Sequence, residues 1–98
     1  MRRAARVDAN HAEIVGALRS AGCWVLDLSA VGQGCPDLLV HGPTHPWDLV
    51  LIEIKDGAKP PSERKLTPAQ VKFHAGCNAP LRVVTSVDEA LAAAGVRC

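Results

Sequence analysis

Two apolar runs separated by a proline-rich turn constrain the fold of this 98-residue chain more than any other feature. The first run, residues 36–41, reads PDLLVH, and the second, residues 48–55, reads DLVLIEIK. Short runs of branched residues bounded by glycine and proline are typical of strands. The nearly continuous apolar centre of the second run is typical of a strand that is covered on both faces. The sequence therefore predicts a sheet in which the second run is a central strand.

Capping residues and hydrophobic spacing predict the remaining elements. Thr67, Pro68 and Gln70 fit a capping box with proline at the first helical position, and Ser86 with Glu89 repeats the capping pattern. The predicted elements are a helix from Asp8 to about Ala21, strands at 23–28, 36–41 and 48–55, a helix from Thr67 to about Ala75, a strand at 81–85 and a helix from Ser86 through Ala94. This order predicts an α/β fold with a four-stranded sheet flanked by helices.

Length and composition predict a single domain over residues 1–98, with a flexible loop at about 56–66. The net charge of +1 neither requires nor excludes a polyanionic partner. No apolar run approaches the roughly 18 residues of a membrane span, which predicts a soluble protein. Four separated cysteines without a C-x-x-C pair, together with the lack of an N-terminal signal pattern, predict reduced thiols. Cys35, His41 and His45 also lack the spacing of a zinc finger.

Charged side chains stand in or beside both apolar runs. If the two strands are antiparallel neighbours, Asp37 at the start of one lies close to Glu53 and Lys55 at the end of the other. Glu53 and Lys55 are two positions apart, so they point to one face of the sheet. Two carboxylates at one place repel each other, and a hard cation such as Mg²⁺ relieves that repulsion. The alternative is an exposed cross-strand pair of Glu53 and Lys55, with Asp37 serving only the turn after Pro36.

The order of these motifs resembles a known nuclease superfamily. Its parts are Asp37 in a G-x-PD-L-L-V strand, an E-x-K strand ending at Lys55, a loop with glycine, proline and lysine, and L-T-P-x-Q ending at Gln70. This pattern resembles the PD-(D/E)XK superfamily, and most closely the small stand-alone VRR-NUC proteins of bacteriophages and bacteria. The similarity covers about Val7 to Ala94. It implies a restriction-endonuclease-like αβββαβ core with a mixed sheet.

The resemblance also implies roles for individual residues. Asp37 and Glu53 are expected to bind Mg²⁺ or Mn²⁺, with the backbone carbonyl of Ile54 as a further ligand. Lys55 is expected to orient or activate the attacking water. Glu13 matches an acidic position of the first helix near the metal, although it also fits an ordinary exposed helix residue. Gln70 matches a polar position beside the active site, and its capping role is an equally good explanation of its presence.

The expected partner is DNA, held by its phosphates and cleaved with weak sequence selectivity. The expected phosphate contacts are Lys59, Arg64, Lys65 and Lys72, with the N-terminal Arg2, Arg3 and Arg6 as further candidates. A homodimer is expected, with a tetramer left open, and two active sites suit branched DNA such as a four-way (Holliday) junction. Neither a membrane nor a small-molecule cofactor is expected, and the implied location is the cytoplasm of a bacterial or phage-infected cell. An inactive nucleic-acid-binding or assembly module and a nuclease that acts on RNA remain alternatives.

Two further residue types have simpler explanations. His74 lies one helical turn after Gln70 and is expected to serve packing or the surface rather than to act as a base. Trp24 and Trp47 are expected to be core or interface aromatics, although stacking on an unpaired base is an alternative for either ring.

Overall fold

A computed structural model describes residues 8–44 and 48–96. Its elements are α1 (His11–Ser20), β1 (Trp24–Asp27), β2 (Leu38–His41), β3 (Leu49–Ile54), a short 3₁₀ helix (Pro61–Glu63), α2 (Pro68–Gly76), β4 (Leu81–Val84) and α3 (Val87–Ala93). The predicted order of helix, three strands, helix, strand and helix is confirmed. The interpretations that concern Arg2, Arg3, Arg6, His45, Trp47 and Cys98 lie outside the described residues.

The four strands form one mixed sheet in the order β1, β2, β3, β4. The first two pairings are antiparallel, and β4 runs parallel to β3. Leu38 of β2 lies opposite Ile52 of β3, which makes β2 and β3 the antiparallel neighbours that the sequence predicts. The connection from β3 to β4 contains α2, because a parallel pair needs a long crossover.

The hydrophobic core lies between one face of the sheet and helices α1 and α3. Ile14 and Leu18 of α1 are fully buried, one helical turn apart, and they join a cluster that includes Ile52, Ile54 and Val84. These three residues alternate along β3 and β4 in the register of the parallel pair, so they share the covered face. Within the described ranges no helix is long and apolar enough to cross a membrane.

The opposite face of the sheet is much less covered, and we call it the open face. The register places on it the side chains of Trp24, Leu26, Leu39, His41, Leu49, Leu51, Glu53, Leu81 and Val83. Helix α2, which contains no buried residue, reaches this face at Glu53 near the end of β3. The two sheet faces therefore differ sharply in burial, and the charged residues of interest lie at one end of the open face.

The start of α1 differs from the sequence prediction. The helix begins at His11 and Asn10 occupies the cap position, whereas the sequence predicts a helix capped by Asp8. The Asn10 side chain makes no capping hydrogen bond; its Nδ2 instead donates to the carbonyls of Lys55 and Thr85, at 3.1 Å each. The prediction of Asp8 as the cap is wrong because the long-range contacts of Asn10 fix where the helix begins.

Helix α1 is also attached to β1 through a polar pair. Nε2 of the buried His11 lies 2.9 Å from Oδ2 of Asp27. Partial burial raises the pKa of Asp27, but hydrogen bonds from Ser29 and His11 outweigh that effect and bring the pKa to about 2. This carboxylate is therefore ionised throughout the range from pH 4 to pH 8.

Candidate active site

Asp37 lies immediately before β2, at the point where its ladder with β3 ends. Continuing the register by one residue places Asp37 opposite Glu53. Oδ2 of Asp37 accepts a hydrogen bond of 2.7 Å from the backbone amide of Ile54, and its carbonyl accepts one of 2.7 Å from Leu28. The first contact holds the Asp37 carboxylate against the end of β3, and the second fixes its backbone beside the end of β1.

Glu53 is a buried carboxylate whose hydrogen bonding is incomplete. The residue is 1% exposed, Oε2 accepts a 3.1 Å hydrogen bond from Nε2 of Gln70, and Oε1 has no hydrogen-bond partner. Burial is the main reason that the pKa of Glu53 is raised to about 8, and the adjacent carboxylate of Asp37 adds to it. The positive charge of Lys55 opposes these effects. A buried carboxyl group with these neighbours is the kind found at functional sites.

Lys55 follows β3 directly and is also buried, at 8% exposure. Its backbone amide donates to the carbonyl of Val84 at 2.9 Å, which extends the pairing with β4 by one residue. Its Nζ donates to Oε1 of Gln70 at 2.7 Å. The ammonium group is therefore fixed by an amide oxygen from helix α2.

Gln70 connects the helix cap to the charged residues. Thr67 accepts from the Gln70 backbone amide, and Oε1 of Gln70 accepts from the Thr67 amide at 2.9 Å, which completes the predicted capping box. The same Oε1 accepts from Lys55, while Nε2 donates to Glu53. Capping and contact with the charged pair therefore occur together in one side chain.

These residues line a polar cleft of about 540 Å³. The cleft is lined by Asp8, Ala9, Asp37, Glu53, Lys55, Asp56, Lys59 and Gln70. Three predicted site residues from the strands and one from α2 thus meet at a single depression. Within the described ranges, no group of three or more His, Cys, Asp or Glu side chains is arranged so that it holds a metal ion by itself.

Glu13 does not line this cleft, contrary to its predicted place near the metal. Its side chain is exposed and borders a separate groove that also includes Asn10, Asp56 and Ser86. Because α1 begins only at His11, Glu13 lies within its first turn, beyond the part of the chain that reaches the cleft. Asp8, in the turn before α1, is the acidic residue from this segment that lines the cleft.

The four predicted phosphate contacts occupy different environments. Lys59 is exposed and lines the cleft. Lys65 and Lys72 are exposed, on the segment before α2 and on α2 itself, and Arg64 is half-buried with its Nε lacking a hydrogen-bond partner. The structure therefore places one of the four directly at the cleft.

His74 lies next to Glu53, which the sequence analysis does not predict. Its Nε2 is 3.5 Å from Oε1 of Glu53, and neither buried atom makes a hydrogen bond. Burial, assisted by the positive charge of Lys55, lowers the pKa of His74, so the ring is neutral at pH 7. The contact is therefore not an ion pair at that pH. The spacing of four from Gln70 is the signal that places both residues on one face of α2.

A thiol is also found near the carboxylates. Burial raises the pKa of Cys35, and the negative charges of Glu53 and Asp37 raise it further. Cys23, Cys35 and Cys77 are all free cysteines, as the sequence predicts for them. Cys35 is therefore an un-ionised thiol at neutral pH.

Comparison with known proteins identifies the fold as that of a nuclease-type α/β domain. No family model matches the sequence, and no curated protein matches it. A solved structure described as "VRR_NUC domain" is similar to this chain, with 25% sequence identity and a TM-score of 0.57. The similarity covers 85% of this chain and 91% of the other. The chain has a VRR-NUC type nuclease fold, in which a mixed four-stranded sheet is flanked by helices, as the sequence predicts.

Proposed function

We propose that this protein is a metal-dependent endonuclease that hydrolyses phosphodiester bonds in DNA. The observation that carries the proposal is the state of Glu53. Its carboxyl group is buried beside Asp37, one of its oxygens has no partner, and its pKa is raised to about 8. Such an arrangement is costly to a folded chain unless a cation compensates it. In a nuclease-type fold, a bound cation that takes part in catalysis would account for this cost.

The donor atoms suit a hard divalent cation. Asp37 and Glu53 supply carboxylate oxygens, and the Ile54 carbonyl lies between Glu53 and Lys55 in the chain. Mg²⁺ commonly takes one or two protein carboxylates and keeps several waters, so a site with two carboxylates is sufficient. Mn²⁺ accepts the same oxygen donors. We therefore assign Asp37, Glu53 and the Ile54 carbonyl as the residues that hold Mg²⁺ or Mn²⁺.

Such an ion, when bound, polarises a phosphate oxygen and lowers the pKa of a bound water. We assign the other catalytic and positioning roles to Lys55 and Gln70. The ammonium of Lys55 lies on the cleft and stabilises negative charge that develops on the phosphate or orients the water. Gln70 positions both Lys55 and Glu53 through the two ends of its amide.

DNA phosphates are the expected ligands of the basic residues. Lys59 lines the cleft, Lys65 is exposed just before α2 and Lys72 is exposed on α2, and Arg64 precedes Lys65 in the sequence. Contacts to phosphates carry little sequence information, so we expect selection by DNA structure, with branched DNA as the preferred substrate. We also propose that the protein acts as a homodimer, which would present two cleavage sites to a four-way junction.

The test is cleavage of supercoiled plasmid and of a labelled four-way junction by the purified protein with Mg²⁺ or Mn²⁺. We expect metal-dependent cutting that is lost in Lys55→Ala and Asp37→Ala. Asp48→Ala is the matched control, because Asp48 is an exposed carboxylate just before β3, at the end opposite the cleft. A parallel melting experiment should show that Mn²⁺ stabilises the wild type but not Asp37→Ala.

The outcomes separate the alternatives. Cutting that persists in both variants would show that the assigned residues are not the catalytic ones. Binding of DNA without cutting and without stabilisation by Mn²⁺ would indicate an inactive binding module. Faster cutting of RNA than of DNA of the same structure would indicate that the protein is an RNA nuclease.

A further inference from the structure

Two polar atoms face each other beside the end of β3, and neither of them makes a hydrogen bond in the described ranges. They are Oε1 of Glu53 and Nε2 of His74, which lie 3.5 Å apart. Both atoms are shielded from solvent, and the two side chains are 2% and 16% exposed, respectively. Buried polar atoms almost always have a partner, and an ion is one explanation of an exception. The pair is therefore a candidate set of metal ligands.

Helix α2 presents a different side chain to each oxygen of Glu53. Gln70 donates from Nε2 to Oε2 at 3.1 Å, and His74, four residues later on the same face of the helix, lies against Oε1. The amide satisfies the first oxygen, whereas the imidazole leaves the second with free lone pairs. A cation that binds Glu53 through this second oxygen therefore meets the imidazole nitrogen.

The separation of the two donor atoms suits a tetrahedral ion. Zn²⁺ holds nitrogen and oxygen ligands at about 2.0–2.2 Å in a tetrahedral arrangement, which places neighbouring donors roughly 3.4 Å apart. Mg²⁺ holds octahedral ligands at about 2.0–2.1 Å, which places neighbouring donors only roughly 2.9 Å apart. The observed 3.5 Å between Oε1 of Glu53 and Nε2 of His74 is close to the tetrahedral value.

The types of donor indicate the same class of ion. Imidazole nitrogen is a common ligand of zinc and of other transition metals, whereas Mg²⁺ takes oxygen ligands. A pair of one imidazole and one carboxylate therefore distinguishes these ions by chemistry as well as by distance. We propose that Glu53 and His74 form a binding position for a divalent transition-metal ion such as Zn²⁺, with Oε1 and Nε2 as the two protein donors.

The pair lies between two depressions from which an ion can enter. Glu53 lines the active-site cleft, and His74 lines a separate polar groove of about 490 Å³ that also includes Cys77 and Arg82. Within the described ranges no third His, Cys, Asp or Glu completes the ligand set. Water therefore fills the other coordination positions, as it does the open position of catalytic zinc sites. Binding here does not require nuclease activity, although it shares Glu53 with the cation of the proposed function.

The experiment is calorimetric titration of the full chain, without DNA, with Zn²⁺ and separately with Mg²⁺. His74→Phe removes the nitrogen donor and keeps an aromatic ring. His41→Phe is the matched control, because His41 is a half-buried histidine at the other end of the ladder between β2 and β3. Cys77→Ser tests the thiol of the same groove, and circular dichroism verifies that each variant is folded. The visible spectrum of the wild type with Co²⁺ needs no substitution and distinguishes tetrahedral from octahedral coordination.

We expect His74→Phe to weaken Zn²⁺ binding at least about tenfold, since even the outer partners of a metal site are worth that much, and to leave Mg²⁺ binding unchanged. His41→Phe and Cys77→Ser should bind Zn²⁺ like the wild type, and Co²⁺ should give a tetrahedral spectrum.

Three results would overturn the proposal: a wild type that does not bind Zn²⁺, equal Zn²⁺ affinity in His74→Phe, or loss of binding in Cys77→Ser. An octahedral Co²⁺ spectrum would also contradict it. Cleavage assays on the same preparations separate the two claims. Zn²⁺ binding that depends on His74 in a protein that cuts no DNA refutes only the nuclease, and Mg²⁺-dependent cutting without such binding refutes only this position.

Discussion

Nζ of Lys55 donates a 2.7 Å hydrogen bond to Oε1 of Gln70, so the buried cation at the end of β3 is held by a neutral amide from α2. The other end of that amide donates to Glu53. Gln70 thus lies between the two charged groups and contacts both. This arrangement leaves the charge of Lys55 available to the cleft instead of neutralising it in a direct ion pair.

Gln70→Ala should therefore affect both stability and cleavage. The substitution removes half of the capping box as well as the contacts with Lys55 and Glu53. Thr67→Ala is the matched control, because it removes the other half of the box and leaves Gln70 in place. We expect Thr67→Ala to lose about 1 kcal/mol in urea unfolding, and Gln70→Ala to lose about 1–3 kcal/mol more, because the buried Lys55 and Glu53 lose a partner. Plasmid nicking should fall at least about tenfold only in Gln70→Ala, through misplacement of the catalytic groups; equal activities would show that Gln70 serves the helix alone.

The approach of Gly34 to α2 gives a second prediction. Gly34 has φ +79°, and a Cβ there would collide with the backbone carbonyl of Ala69, next to Gln70. Gly32 has a similar φ of +76° but open space around it. Gly32→Ala should cost about 1–2 kcal/mol through its left-handed backbone alone.

Gly34→Ala should cost about 1–3 kcal/mol more than Gly32→Ala, because the helix must move away. Chemical unfolding of both variants measures the difference, and cleavage at equal folded fractions shows whether the movement displaces Gln70. Equal losses of stability in the two variants would contradict the close approach of Gly34 to α2.

The sequence predicted the residues at the strand ends and Gln70 of α2 as parts of the site, but it did not predict the positions of Asp8 and His74. Asp37, Glu53 and Lys55 follow from the two-residue period of strands and an antiparallel register, both of which are local rules. Asp8 replaces Glu13 at the cleft because long-range bonds from Asn10 set the start of α1, and no local pattern shows them. Helix α2 has no apolar stripe and buries none of its residues, so only the four-residue spacing from Gln70 indicates that His74 lies near Glu53.

The raised pKa of Glu53 predicts how stability depends on pH when metal is absent. The ordinary value is 4.5 and the folded value is about 8, so the folded state binds more protons than the unfolded state between these limits. The contribution of Glu53 to the free energy of unfolding should therefore be fully present below pH 4.5 and should decrease as the pH rises toward 8.

Urea unfolding in a chelating buffer from pH 5 to pH 8 measures this decline. Glu53→Gln should remove most of it, and Asp27 contributes nothing in this range because its pKa is about 2. Saturating Mn²⁺ should also flatten the decline, since bound metal favours the ionised carboxylate. A wild-type profile as flat as that of Glu53→Gln would contradict the assignment.

His74 is expected to set how far the pKa of Glu53 is raised. Its neutral ring lies 3.5 Å from Oε1 of Glu53, so it excludes water from that oxygen without donating a hydrogen bond to it. Because burial is the largest cause of the raised pKa, His74→Ala should admit water and lower the pKa of Glu53. The decline of stability in chelating buffer would then end at a lower pH than in the wild type. His74→Phe is the control that keeps an aromatic ring over the carboxylate, and it should leave the pKa at least as high. If His74→Phe and His74→Ala lower the pKa alike, the imidazole acts on Glu53 through a specific polar contact and not by excluding water.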